Sequence, residues 1–418
     1  MTIDETTLDE PRTSAGSQGV PTRTAILVLA LIGALYLACA TWTSPYSVDT
    51  LTNAVQSRSL AADRSPIVEE YDDFLEPKYT GVLVWFVDSP RGTTSQYPPG
   101  VALWGSLFYL LDPSSTAEPT EFENLETGEM EPVVMDVPSL MPAGLAAVTS
   151  VLVAMTFLWL TLRRSMDEWA ALAATAVVAL GTGAWSVASD QLWQHGPAMM
   201  CIAMGTYLAS TDRFARSGLA FAFGVLIRPH TAIVAAAIGV TVAVRRRRLG
   251  PLVRMGLTSA VGLVLLVAYN RWLWGAWSIS GGYGDVFAER AVSGSPLVLA
   301  RRIVEMLVHP EFGLVIFSPV VVVALVAAAR EGRRRAPDWS VGAALGGLIY
   351  LLVQLQANRA RGGGGFFGYR YPLEALIAAA PLLAICTASW IRDHPKRAAL
   401  VGALAVASVA IHGFGAVT

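Results

Sequence analysis

Four short stretches hold residue types able to act on a charged or hydroxylated molecule. The first, Pro45-Tyr46-Ser47-Val48-Asp49-Thr50, opens a polar segment with further acids at Glu69-Glu70, Asp72-Asp73 and Asp88. That segment closes at Ser95-Gln96-Tyr97-Pro98-Pro99-Gly100. The second is Asp190-Gln191-Leu192-Trp193-Gln194-His195-Gly196-Pro197, and the third is Arg228-Pro229-His230. The fourth runs from Asn358 to Pro372 and sets Arg359, Arg361 and Arg370 among glycines, Phe366, Phe367, Tyr369 and Tyr371. Gly281-Gly282-Tyr283-Gly284-Asp285 and His309-Pro310-Glu311-Phe312-Gly313 add an aromatic and a polar turn. A carboxylate such as Asp49, or Asp88 in second place, can take the proton of an attacking hydroxyl. Arginine offers a planar fork suited to phosphate. Aromatic rings can stack on a sugar, and glycine lets backbone approach a ligand closely.

Each stretch has a plainer reading. Asp49 can be the cap of a helix starting at Thr50. Gln194 and His195 can form a polar interfacial turn, Arg228 a packing ion pair, and the glycine run a linker. The acidic run from Glu118 to Asp136 has no fixed ligand spacing and reads as a solvated surface insertion.

The elements that must position these residues are membrane spans. The chain has 418 residues, 54% of them hydrophobic, above the usual globular share. Apolar runs fall at about 24–42, 139–162, 169–188, 196–211, 251–273, 312–330, 339–357, 372–391 and 398–416. A further apolar stretch, 218–244, is interrupted at Arg228-Pro229-His230 and reads as two half-helices, because proline lacks an N–H and disfavours helix at the residue before it. Residues 99–111 are too few to span and read as a surface helix. Basic clusters at Arg163-Arg164, Arg213 with Arg216, Arg245 to Arg248, Arg330 with Arg333 to Arg335, and Arg392 with Lys396 and Arg397 all fall on one side if the amino terminus is cytoplasmic. All four chemical stretches then fall on the outer face. Residues 1–23 read as a disordered cytoplasmic tail and 24–418 as an integral membrane domain, whose outer loop 43–138 carries surface helices. Cys39, Cys201 and Cys386 lie in apolar runs, so no disulfide is expected. No nucleotide-binding fingerprint is present, and no nucleic-acid partner is expected. The convergence of acids, arginines, aromatics and glycines on one face fits transfer from a phosphate-bearing lipid.

The order of Ser47-Val48-Asp49, Tyr97-Pro98-Pro99-Gly100, Leu192-Trp193-Gln194-His195-Gly196-Pro197, Ile227-Arg228-Pro229 and Gly365 to Tyr371 resembles the GT-C superfamily. These are polyprenyl-phosphate-sugar-dependent glycosyltransferases, among them protein O-mannosyltransferases and aminoarabinose transferases. The resemblance implies an all-α, polytopic GT-C-like bundle with a large first outer loop and one re-entrant helix pair. It further implies a polyprenyl-phosphate sugar donor, an envelope glycan, lipid or protein acceptor, and an outward site in the cytoplasmic membrane. Asp49 would be the base. Arg228, Arg359, Arg361 and Arg370 would hold donor phosphate. Tyr97, Gln194, His195, His230, Tyr283, Tyr369 and Tyr371 would contact substrate. Better-known relatives often carry an Asp-Glu pair where Asp49 is followed by Thr50. No cofactor is required on this reading, and a divalent cation beside the acid is left open. A lipid-linked sugar transporter or flippase, or an envelope assembly subunit, are the alternative readings.

The orientation is testable with single cysteines at Ser114 and Arg334, labelled in intact cells by an impermeant reagent. Ser114→Cys is expected to label from outside and Arg334→Cys only after lysis; labelling of both from one side contradicts the topology.

Overall fold

The computed structural model describes residues 22–43, 47–74, 85–124, 126–284, 289–290 and 294–417. Residues 1–21 of the expected cytoplasmic tail, Pro45-Tyr46 and Asp285 lie outside these residues, while Thr22 and Arg23 already belong to the first helix.

Helices account for nearly all of the bundle, and the apolar runs set their positions. They are α1 (Thr22–Cys39), α4 (Leu140–Leu162), α5 (Glu168–Leu180), α6 (His195–Ser210), α7 (Phe214–Ile227), α8 (Thr231–Arg246) and α9 (Gly250–Trp274). After these come α10 (Pro296–Val308), a single turn α11 (Leu314–Phe317), α12 (Pro319–Arg335), α13 (Asp338–Ala357), α14 (Leu373–Ile391) and α15 (Pro395–Gly415). Six helices among the described residues are long and apolar enough to cross a membrane. The rest of the bundle is built from shorter pieces because the chain is broken where the sequence demands it. Arg228 has φ −144° and ψ 110°, the extended geometry that Pro229 imposes on its predecessor. So α7 and α8 meet at Arg228-Pro229-His230, as expected. Two runs that read as single helices are interrupted. The run 169–188 stops at Gly181 and resumes as a π-helical turn, Ala184–Ala188. The run 312–330 breaks at Ser318-Pro319.

The connection between α1 and α4 carries surface helices α2 (Val48–Ala62) and α3 (Gly100–Tyr109). It also contains β-structure that the helical reading of this loop missed. Strands β1 (Phe86–Val87) and β2 (Thr94–Ser95) form a small antiparallel pair. Strands β3 (Ser115–Glu123) and β4 (Met130–Pro138) form a hairpin in register from Ser115↔Pro138 to Glu123↔Met130. The acidic insertion is therefore an ordered ribbon; its Thr, Val and Phe content favours strand, while its charges dominated the sequence pattern. Helix α2 is polar yet largely buried: Thr52, Asn53, Gln56 and Ser57 are all shielded. Ser47 caps its start by accepting the amide of Asp49 at 3.2 Å.

Close backbone approach holds α7 against α9. A Cβ on Gly262 would lie 2.1 Å from the Ala222 carbonyl oxygen, and one on Gly218 2.4 Å from that of Met255. Small residues at such crossings supply the packing that holds helices together in lipid. Gly256, on the same α9, has nothing within 4 Å of its Cβ position. Alanine improves helix propensity equally at both sites, so the difference between them is steric. Gly262→Ala is expected to destabilise the protein by about 1–3 kcal/mol through overpacking, with Gly256→Ala neutral or stabilising. Thermal unfolding in detergent checks this; equal melting of the two variants contradicts the packing.

Candidate active site

Asp49 sits in the first turn of α2, and the start of that helix is pinned from beneath by the turn joining the π-helical segment to α6. Thr50 Oγ1 donates to Gln191 Oε1 at 2.6 Å and Asn53 Nδ2 to the Leu192 carbonyl at 2.9 Å. The same turn is tied to the end of α1, where the Thr41 amide and hydroxyl both donate to Asp190 Oδ1 at 2.9 Å. These bonds fix where the Asp49 carboxylate emerges.

Two groups remote in sequence close on it. Tyr97 donates its hydroxyl to Asp49 Oδ1, and Arg370 donates from a terminal nitrogen to Oδ2. Burial pushes the Asp49 carboxyl up, but the charge and hydrogen bond of Arg370 and the hydrogen bond of Tyr97 outweigh it, so the group titrates below the usual carboxylate range. Burial and the neighbouring Asp49 raise the Tyr97 phenol well above its ordinary value. The guanidinium of Arg370 is caged by aromatic rings, with centroids 4.8 Å away for Trp193, 5.2 Å for Phe366 and 5.4 Å for Tyr371. Its Nε is buried without a hydrogen-bond partner. Tyr283 packs on Tyr97 at 5.9 Å between centroids.

Deeper in the bundle lies a second charged cluster. Glu374, in the first turn of α14, is fully buried. It accepts from Arg228 at 2.7 Å and lies 2.9 and 3.0 Å from His195 Nδ1. Arg228 also donates through Nε to Gln194 at 3.2 Å and to the Tyr350 hydroxyl at 3.1 Å. His230 packs tilted against Tyr350, with centroids 4.3 Å apart. Tyr369 faces away from Asp49. Its hydroxyl is 2.6 Å from Ser318 Oγ, which lies 3.0 Å from His412 Nε2, while His412 Nδ1 is 2.8 Å from Ser186 Oγ.

The structure thus gathers Asp49, Tyr97, Gln194, His195, Arg228, Tyr283, Arg370 and Tyr371 at one end of the bundle, with His230 behind them. Four expected site residues stand apart, Tyr369 with its hydroxyl on Ser318 among them. Asp88 is exposed in the turn between β1 and β2. Arg359 and Arg361 line an open groove of ≈ 370 Å³ with Val298, Arg301, His309 and Phe312, and Arg361 pairs with Glu311 at 3.3 Å. Glu374 was missed. Its signal was a lone acid inside an apolar run, a position that is costly and so usually paired. Among the described residues no group of three His, Cys, Asp or Glu side chains is placed to hold a metal ion.

No protein-family model and no curated protein matches the chain by sequence. Solved structures match by shape. ArnT from Cupriavidus metallidurans bound to undecaprenyl phosphate aligns over 91% of this chain and 62% of its own, at 15% identity and a TM-score of 0.53. The oligosaccharyltransferase of Archaeoglobus fulgidus in its apo form aligns over 94% and 56% respectively, at 11% identity and a TM-score of 0.54. The fold is that of the GT-C glycosyltransferases. The chain spans less than two thirds of the length of either structure. In this GT-C-like bundle the charged clusters lie on the side of the α1–α4 connection, and Arg245 and Arg246 lie at the far end of α8, roughly 24 Å away along a 16-residue helix.

Asp190 behaves in the opposite sense to Asp49. Burial, only partly offset by the Thr41 hydrogen bonds, raises its carboxyl to about 6. A carboxyl whose folded value lies above its unfolded one costs stability progressively as pH rises from the unfolded value through the folded one. Asp190→Asn keeps the acceptor oxygen and removes that cost. Its melting temperature relative to wild type is therefore expected to rise between pH 4.5 and pH 7.5, by on the order of 2 °C. A difference that is flat or falls with pH contradicts the assignment.

Proposed function

We propose that the protein is a membrane glycosyltransferase that moves a sugar from a polyprenyl-phosphate donor to a cell-envelope glycan, lipid or protein acceptor, at the outer face of the cytoplasmic membrane. The observation that carries this reading is Arg370. It is largely buried, bonded to a carboxylate through one terminal nitrogen, and left with an orphaned Nε–H. A buried donor without a partner calls for an explanation, and a guanidinium beside a general base suits a phosphate leaving group. The undecaprenyl phosphate bound to ArnT supports the same donor class on the same fold. Hexosyl and pentosyl donors both fit this chemistry.

In this mechanism an acceptor hydroxyl attacks the anomeric carbon while the bond from that carbon to the phosphate oxygen breaks. The electron pair leaves with the phosphate and the hydroxyl proton passes to Asp49, with inversion at the anomeric centre. Arg370 stabilises the phosphate before and after transfer. Tyr97 and the aromatic rings around Arg370 orient the sugar. Arg228 spends its charge on Glu374, so within this reading it shapes the pocket from behind, and Arg370 is the phosphate ligand. A divalent cation, were one to take part, would have to be held by Asp49, whose two oxygens already accept from Tyr97 and Arg370, and its addition or chelation belongs in the assay.

Asp49→Asn removes basicity while keeping size and polarity. With purified protein, labelled lipid-phosphate sugars and envelope extract, it is expected to slow transfer by about 10²–10⁴-fold and leave donor affinity unchanged or tighter. Arg370→Gln is expected to weaken donor binding, because phosphate is charged throughout the reaction. Absence of transfer and hydrolysis by wild type with every donor overturns the enzymatic reading. Transfer at wild-type rate by Asp49→Asn, with loss in Asp88→Asn, overturns the choice of base.

A further inference from the structure

Glu374 touches neither Asp49 nor Arg370, yet it dictates the chemical state of a neighbour, His195. A carboxylate can only accept hydrogen bonds. Both of its oxygens lie within 3.0 Å of His195 Nδ1, so that nitrogen carries a proton. Arg228 also brings a terminal nitrogen to 3.3 Å from the same Nδ1. Two donors do not bond to each other, so this approach follows from the carboxylate they share.

The charge count settles the rest of the ring. Glu374 offsets Arg228, and Asp49 offsets Arg370. A second proton on His195, which is 2% exposed, would add an uncompensated positive charge beside a buried guanidinium. The ring is therefore neutral, with its lone pair on Nε2. That nitrogen forms no hydrogen bond among the described residues. The ring lies 6.4 Å from that of Tyr371, which belongs to the cage around Arg370, the ion-pair partner of Asp49.

We propose that Glu374 is a positioning residue that holds His195 in its Nδ1–H tautomer, so that Nε2 offers a hydrogen-bond acceptor to a substrate hydroxyl beside Asp49. The assignment of that hydroxyl to a sugar or its acceptor rests on the glycosyltransferase reading; the tautomer does not. Specificity follows from it. A hydroxyl that donates to Nε2 is retained, and a deoxy or methylated analogue leaves a buried acceptor unpaired.

The test reads the tautomer directly. In protein labelled with ¹⁵N at its 5 histidines, the His195 signals are assigned by their loss in His195→Gln. Wild type is expected to show a protonated Nδ1 and an unprotonated Nε2 at neutral pH. In Glu374→Gln the amide oxygen takes Arg228 and the amide nitrogen donates to Nδ1, so the proton moves to Nε2. Glu374→Asp keeps the wild-type pattern. A wild-type Nε2–H signal overturns the proposal, whether or not the variants fold. So does an unchanged pattern in folded Glu374→Gln. In the transfer assay Glu374→Gln is expected to lower turnover by about 10–100-fold, the usual cost of losing a histidine's orienting partner, with little change in donor KM. Glu374→Asp restores most of the rate, and Glu374→Gln adds less than about threefold in a His195→Gln background. An equal loss in both backgrounds means a purely structural role and overturns the proposal. Absence of any transfer by wild type overturns the glycosyltransferase reading alone, since the tautomer is read without turnover.

Discussion

A guanidinium taken out of water costs several kcal/mol unless an opposite charge and further hydrogen bonds compensate it. This bundle holds two such groups at one end, and each has a single carboxylate. The Asp49–Arg370 pair joins residues 321 apart in sequence, and the Arg228–Glu374 pair joins residues 146 apart. The first pair brings α2 over the end of the bundle; the second fastens the α7–α8 break to the start of α14. Gln194 and His195 are held by the second pair, through Arg228 and Glu374. Packing of the apolar spans builds a scaffold, but these two charge pairs decide which loop ends meet.

Much of the scaffold was legible in the sequence because span length and the proline rule act locally. The break at Arg228-Pro229-His230 follows from a constraint on adjacent residues, and so do the helix starts near 140, 250 and 373. The β3–β4 hairpin was not legible in the same way: its alternation is masked by glutamates, and it is stabilised by pairing across the ribbon. For the site, the sequence indicated which residues shared a face and left open which of them touched. Arg359 and Arg370 are 11 residues apart, but Gly362, Gly363, Gly365 and Gly368 between them all adopt positive φ. Those reversals send one arginine to Asp49 and the other to the groove beside α10. Glu374 escaped notice because an acid at the start of an apolar run looks like a helix-start residue; only its burial shows that it carries charge for Arg228 and His195.

Most of the residues gathered around Asp49 come from segments outside the regular spans. Asp49 and Tyr97 come from the connection after α1, Gln194 from the turn before α6, and Arg370 and Tyr371 from the glycine-rich segment before α14. Helix ends and turns can vary their side chains without disturbing span packing. Fold likeness at 15% identity or less therefore leaves the side chains of these segments free to differ.

The last helix has a bearing on how the protein should be handled. His412 bridges Ser186 and Ser318, and Ser318 meets Tyr369, the neighbour of Arg370. Phe367 lies edge-on to both His412 and Phe414. The final turn of α15 is thus the floor on which the arginine-bearing loop rests. A label or substitution in that turn acts directly on that floor. Helix α1, which meets the bundle mainly through α4 and α5, is the element to label when the arginine-bearing loop is to be left undisturbed.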